Sequence, residues 1–473
     1  MFASKFKVQP LQVDPMWRGN NYSKFLPNPG SVQIQFSASE VTDIVTKMKR
    51  GKSPGYDDVS IEHILYGGRL LHEKLCGLYN LCIRYSYLPH NLMRTIVVPI
   101  VKSKTGDLGS ASNYRPISLG TVIGKILERL VQPKLLKNVV IDDAQFGFRP
   151  GLSTDSAIVS LKHTIQYYTK RDTSIYACFL DLSRAFDLVN YDILWEKLFQ
   201  SQVPNEIVGL LRHWYGNQTN AVKWGDATSN FYKLDCGVRQ GGITSPDLFN
   251  NYVNNLIEEL RETKIGCHIN GVCLNSLSYA DDMVILSPSI KGLRKLLSVC
   301  EHYANVHGLK YNVDKTEMLI FKACKGPDRT PGIILNGKAV RVVQKFKYLG
   351  HVLTEHLKDD SDIERERRAL SIRCNMLARR FGKCSKEVKI TLFNAFCQCF
   401  YTCQLWTIFF KKSYSAIRVQ YNDAFRILMG LPRYCSASTM FAESGVPDFY
   451  CIVSCIVSTL RFLVIGMIKA LKD

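Results

Sequence analysis

Two apolar, β-prone runs between residues 274 and 286 flank the adjacent acids Asp281 and Asp282, a pattern that fits a hairpin with both carboxylates at its turn. Neighbouring carboxylates repel, so such a turn is costly unless a cation, a basic group or open solvent relieves it. A chain with this feature must bury the flanking strands yet leave the acids at an edge. A further acid, Asp181, lies in the β-rich run 175–182, where its carboxylate would also emerge at a sheet's edge. The everyday role of an aspartate in that position is to cap a helix or form a turn.

The rest of the chain reads as mixed helix and strand, and 473 residues are enough for two or three packed subdomains. Residues 1–36 carry scattered prolines and glycines without a sustained period and read as an N-terminal arm. Ser37 and Glu40 stand at capping-box spacing, and Val41, Ile44, Val45 and Met48 follow at helical intervals, predicting a helix that stops near Gly51. A turn-rich loop follows at 52–58. The apolar run 96–101 ends in Lys102 and Lys104, and 106–113 reads as a loop. Beyond about Asp359, apolar and basic residues alternate at helical spacing, so helices should dominate there.

Charge points to the partner. Lys and Arg number 61 against 41 Asp and Glu, a formal net charge of +20, and residues 338–433 hold 19 basic and 8 acidic residues. A polyanion fits this excess, and a solubilising surface is the alternative. The 16 cysteines are scattered through apolar runs with no secretory signal before them, so they read as reduced, buried small side chains of an intracellular protein, in nucleus or cytoplasm. Cys397, Cys399 and Cys403 cluster in an apolar stretch, but no histidine follows His356, which excludes a Cys-Cys-His-Cys knuckle there. Residues 450–468 are strongly apolar, yet Arg461 and several serines interrupt them, and a core-facing helix is expected over a membrane span.

A third constellation is Gly237-Val-Arg-Gln-Gly-Gly-Ile-Thr-Ser-Pro246, followed by a helix-like run. Gly241 and Gly242 would let the backbone approach a nucleotide or template strand closely, with Gln240 placed to contact the incoming sugar or base. A tight surface turn before a helix is the plainer alternative. Phosphoryl transfer in turn needs one metal to lower the pKa of the attacking hydroxyl, a second to hold the triphosphate, and carboxylates to bridge them. Mg²⁺ prefers oxygen ligands and keeps water and phosphate in its shell, so two or three aspartates suffice.

Eight segments in order carry a resemblance: Lys52-Ser-Pro-Gly, Tyr114-Arg-Pro-Ile-Ser-Leu, Gln145-Phe-Gly-Phe-Arg-Pro-Gly-Leu-Ser-Thr154, Phe179-Leu-Asp-Leu-Ser-Arg-Ala-Phe-Asp187, Gly237-Val-Arg-Gln-Gly, Tyr279-Ala-Asp-Asp, Asn312-Val-Asp-Lys-Thr-Glu317 and Tyr348-Leu-Gly350. From about Lys52 to at least Leu353 the chain resembles the reverse transcriptases of non-long-terminal-repeat (LINE-type) retrotransposons. The resemblance implies an α+β right-hand fold, with fingers and palm over 37–345 and a helical, basic thumb and C-terminal region over 346–473. It further implies that Asp181, Asp281 and Asp282 hold two Mg²⁺ ions, or Mn²⁺ in their place, and that Arg115 and Lys102 bind the incoming triphosphate. Lys315 falls where the family has a lysine that protonates the departing pyrophosphate. Phe186, five residues after Asp181, would lie beneath the incoming sugar and exclude a 2′-hydroxyl; without the family match it reads as helix or core packing. Residues 348–350 resemble the primer-gripping hairpin.

The implied partners are an RNA template, a DNA primer and deoxynucleoside triphosphates, with no membrane; the sequence does not set the oligomeric state. Residues ahead of the first match are too few for an endonuclease and nothing after Tyr348 resembles RNase H, so the expectation is a polymerase-containing portion of a longer element or a truncated copy. An inactive or domesticated copy that binds nucleic acid without polymerising is the main rival. An RNA-dependent RNA polymerase is a weaker one, because Phe186 occupies the place of a small polar group.

Overall fold

Ser37 Oγ accepts a hydrogen bond from the Glu40 amide and Glu40 Oε2 accepts one from the Ser37 amide, so the expected capping box opens the helix Ala38–Lys47. The computed structural model describes residues 33–323 and 332–458. The expected N-terminal arm up to residue 32, and residues 459–468 of the late apolar stretch, lie outside them.

The chain is α+β. One five-stranded sheet runs Tyr114–Gly120, Arg94–Val101, Thr219–Trp224, Ala227–Thr228, with Tyr232–Lys233 also on Thr219–Trp224. The second runs Arg341–Val343, Glu317–Phe321, Ile175–Asp181, Asp282–Ser287, Ser276–Tyr279. In its centre, strand residues alternate between two apolar clusters. Tyr176, Cys178, Leu180, Met283, Ile285, Met318 and Ile320 face the larger one, which includes the helix Ser245–Glu262. Ala177, Phe179, Val284, Leu286, Leu319 and Phe321 face the other, against the helix Thr154–Thr169 and the hairpin of Lys345–Tyr348 and His351–Thr354. Cover on both faces explains why the central strand Ile175–Asp181 is apolar and buried until its end residue, Asp181.

Helices dominate from Asp360 onward, as expected: Asp360–Phe381, Lys386–Cys397, Lys411–Met429 and Ala437–Ser444. Their own apolar cluster begins at Ile363 and takes in Cys397, Cys403, Phe449, Ile452 and Val453, whereas the hairpin after residue 345 packs on the sheet. Cys397, Cys399 and Cys403 are free thiols. Among the described residues no single helix is long and apolar enough to cross a membrane.

A buried ionic knot joins the helical region to the helix Thr154–Thr169 and to the hairpin Lys345–Tyr348/His351–Thr354. His351 and Asp362 are fully buried, and Asp359 and Lys162 nearly so. Lys162 Nζ donates to Asp359 Oδ1 and to the Leu405 carbonyl, both at 2.7 Å. Asp362 accepts from the Val352 amide, Arg365 Nε and Trp406 Nε1. The His351 ring lies between the two acids, Nδ1 3.2 Å from Asp362 and Nε2 3.5 Å from Asp359. Burial pulls the imidazole pKa down, but both carboxylates outweigh it and leave it above 6.5. A raised folded-state pKa means that stability is fully present below the ordinary value and lost as pH rises through the folded one. Replacing His351 by glutamine should therefore cost about 3 kcal/mol near pH 6, and less as pH rises past the raised pKa. Unfolding of parent and variant across pH checks this; an equal loss at pH 6 and pH 9 would remove the charge from the account.

Candidate active site

The hairpin closes with Tyr279 opposite Asp282, so Ala280 and Asp281 form a two-residue loop with Ala280 at φ 58°. That conformation favours glycine at the first loop position, and the alanine there carries strain. Antiparallel pairing sets Asp282 directly opposite Asp181. The acids at the turn and the acid at the strand end, a hundred residues apart, thus meet at one corner of the sheet.

Each acid is shifted toward the protonated form. Burial is the main cause for all three; Asp181 adds to it at Asp281, and Asp281 and then Asp181 add to it at Asp282. The Asp282 carboxyl reaches about 6, although its residue keeps an open face to solvent, so crowding on one side and mutual repulsion act together.

The cations arrive from separate segments. The Asn312 amide donates to the Asp181 carbonyl at 2.8 Å and Ser183 to the Lys310 carbonyl, which brings Lys315 Nζ to 3.8 Å from Asp181 Oδ2. Arg115 is exposed on the strand paired with Arg94–Val101, and its charge pulls the Asp281 pKa down. Lys102 Nζ donates to the Ser112 carbonyl; burial and then the charges of Lys315, Arg115 and Arg184 lower its pKa, against Asp187. Arg184, in the left-handed region at φ 52°, had no assigned role in the sequence. Its only signal there was its place between Asp181 and Phe186.

The Gly237–Gly242 loop is knitted to the same corner. The Val238 amide donates to the Phe186 carbonyl at 2.7 Å and the Ser118 amide to the Gln240 carbonyl at 2.7 Å, while Gln240 Nε2 donates to Asp187 Oδ1 at 3.1 Å. Gly241 sits at φ 117°, and a Cβ there would lie 2.8 Å from the Ser118 carbonyl oxygen. Its close approach is therefore already required within the chain, whatever binds nearby. Arg239 is a buried anchor, paired with Glu128 at 2.7 Å and 4.4 Å above the Trp214 ring. Phe186 is half-buried, stacked on Phe249 at 4.7 Å and edge-on to Phe148 at 6.1 Å.

Among the described residues no group of three or more His, Cys, Asp or Glu is placed to hold a metal ion by itself. An all-oxygen donor set of mutually repelling carboxylates, open on one side, suits Mg²⁺, which takes one or two carboxylates and completes its shell with water and phosphate. It does not suit zinc, which favours nitrogen and sulfur.

The family model described as "Reverse transcriptase (RNA-dependent DNA polymerase)" matches residues 101–353, more than half of the chain, and the chain belongs to that family. It is 25% identical to the "RNA-directed DNA polymerase from mobile element jockey" of Drosophila melanogaster, over 94% of this chain and 50% of that protein. It is 28% identical to the "Retrovirus-related Pol polyprotein from type-2 retrotransposable element R2DM" of the same species, over 65% of this chain and 30% of that one. These relatives accord with the resemblance carried by the eight motifs. The chain spans about half the length of the jockey polymerase. A solved apo telomerase from Candida tropicalis, truncated from the C-terminal domain, is similar at a TM-score of 0.40 and 12% identity, over 57% of this chain and 54% of that one.

Proposed function

We propose that this chain is an RNA-directed DNA polymerase that extends a DNA primer on an RNA template with deoxynucleoside triphosphates. The observation that carries the proposal is the meeting of Asp181, Asp281 and Asp282 at one sheet corner, faced by Lys102, Arg115, Arg184 and Lys315. Three carboxylates opposite four cations suit a triphosphate with its divalent ions between them.

In this proposal the three aspartates hold two Mg²⁺ ions, which when bound lower the pKa of the primer's 3′-hydroxyl and neutralise charge on the leaving group. Arg115, Lys102 and Arg184 orient the triphosphate. Lys315, beside Asp181, supplies a proton to the departing pyrophosphate. Phe186 and Gln240 border the incoming sugar and base. The sheet and the segments around it act as fingers and palm over 37–345; the region 346–473 acts as the thumb, with the hairpin around Tyr348 near the primer end. The principal alternative is a copy that binds nucleic acid without polymerising. Primer extension on a polyadenylate template with Mg²⁺ decides between them: incorporation of thymidine nucleotides is expected, and its absence in folded protein that retains duplex binding would favour the alternative.

Arg379, Arg380 and Lys383 are exposed near the end of the helix Asp360–Phe381 and just beyond it, and they are proposed to lie along the duplex. Binding should then weaken steeply with salt, because each neutralised phosphate releases a counterion. Replacing the three by glutamine should flatten the slope of log affinity against log salt by about 1 per lost contact. An unchanged slope would leave this basic surface as a solubilising one.

A further inference from the structure

We infer that Gln145 is a positioning residue that holds the Ala280–Asp281 loop in the shape that aims the acids at Asp181. Gln145 is fully buried. Its Oε1 accepts two backbone hydrogen bonds, from Ala280 and from Gly147, each at 2.9 Å. One side-chain oxygen therefore pins the residue at φ 58° on which the direction of the loop depends.

The surrounding segment is built to bring that oxygen there. Phe146 N donates to the Ser278 carbonyl and Ser278 N to the Ala144 carbonyl, both at 2.7 Å, so residues 144–146 lie as a parallel bridge on the outer edge of the strand Ser276–Tyr279. The edge is thereby covered. A Cβ on Gly147 would stand 2.3 Å from the Ala280 nitrogen, so only glycine admits the approach. Asn250 Nδ2 holds the Gly147 carbonyl at 2.8 Å, and Arg149 Nη1 ties down the Asp142 and Gln145 carbonyls. Residues 142–149, themselves held by Asn250, thus pack onto a two-residue loop that the hairpin's own pairing of Tyr279 with Asp282 would close without them.

The physical need is plain. Ala280 is buried, so its amide has no solvent to turn to, and a left-handed alanine relaxes unless neighbours over-determine it. Relaxation at Ala280 would swing Asp281, the next residue, away from Asp181. The Gln145 oxygen opposes this by supplying the amide's partner only in the strained geometry.

The test compares Gln145→Met, of similar length but without an acceptor, with Gln145→Glu, which keeps an oxygen at the same reach. Amide hydrogen exchange of a peptide spanning residues 277–283 is the primary readout. In Gln145→Met the loop amides should exchange about tenfold faster or more, and in Gln145→Glu they should stay protected. Extension per folded molecule should fall in the methionine variant with affinity for template–primer unchanged and with more Mg²⁺ required for half-maximal rate. If Gln145→Met does not fold, Gln145→Asn, with its oxygen withdrawn by one methylene, makes the same comparison. Unchanged exchange at the loop in a folded acceptor-less variant overturns the inference. Its activity arm rests on the polymerase proposal, but exchange does not: a parent that fails to extend primers sinks that proposal and leaves the role of Gln145 to be decided by exchange alone.

Discussion

Asparagine at position 181, 281 or 282 is expected to lower primer extension by about three orders of magnitude while leaving folding and duplex binding intact. In the proposed two-metal role the substitution removes one ligand charge at nearly constant volume, and several kcal/mol of transition-state stabilisation go with it. Stability should respond in the opposite sense. Asp282 has its folded pKa raised to about 6 by burial, Asp281 and Asp181, so in the metal-free protein its stabilising contribution is complete below the ordinary carboxylate value of 3.8 and falls as pH rises through the folded one. Asp282→Asn removes that slope, and the metal-free variant should unfold no earlier than the parent at neutral pH. On the proposed metal role, activity and stability move apart because the carboxylates keep their repulsion for a cation. Steady-state extension in Mg²⁺, paired with unfolding in a chelator, measures both; near-parent extension by the Asp181 or Asp281 variant would end the metal assignment.

The second large effect concerns the choice of sugar. Phe186 lies flat on Phe249 at 4.7 Å and meets the edge of Phe148, a fixed wall whose ring has little room to move. If that wall runs beneath the incoming sugar, a ribose 2′-hydroxyl collides with it and a deoxyribose does not. Discrimination by collision has no hydrogen bond to lose, so trimming the ring relaxes it without creating a preference for ribose. Phe186→Val should raise the ratio of kcat/KM for GTP over dGTP, opposite a template cytosine, by about 10². Its half-buried position makes the accompanying loss of stability about 1–2 kcal/mol. A ratio equal to the parent's in a variant that still incorporates dGTP would leave Phe186 as a packing partner of Phe249 alone.

How far these residues were legible depended on whether the signal was local. The hairpin bearing Asp281 and Asp282 was readable because two apolar, β-prone runs on either side of a pair of acids leave their mark within a dozen positions. The Ser37 cap was readable within four, and the late helices within their own period. Gln145 and Gly147 were visible as part of a motif but carried no role, since nothing adjacent to them says that a side-chain oxygen will meet the Ala280 amide, 135 residues away. Lys162 illustrates the opposite trap. Nothing near it in sequence singles that lysine out, yet in the helix Thr154–Thr169 it is buried, and distant Asp359 and the Leu405 carbonyl together make that tolerable.

What the amino-acid order carried by itself was therefore the capped first helix, the strand that ends at Asp181, the hairpin around Asp281 and Asp282 and the late helices, and, through the family motifs, the acids, cations and aromatics proposed for the chemistry. Short-range sterics, capping and the two periods of burial suffice for the elements. Tertiary packing alone decided that Asp282 faces Asp181, that Gly241 lies against Ser118 rather than free at a surface, and that the carboxylates share a corner with Lys315. Those relations depend on antiparallel register and on apolar clusters drawn from both sides of one sheet. A register shift of a single residue would turn every side chain of a strand to its other face, and no local pattern in residues 175–181 names the strand that must lie beside it.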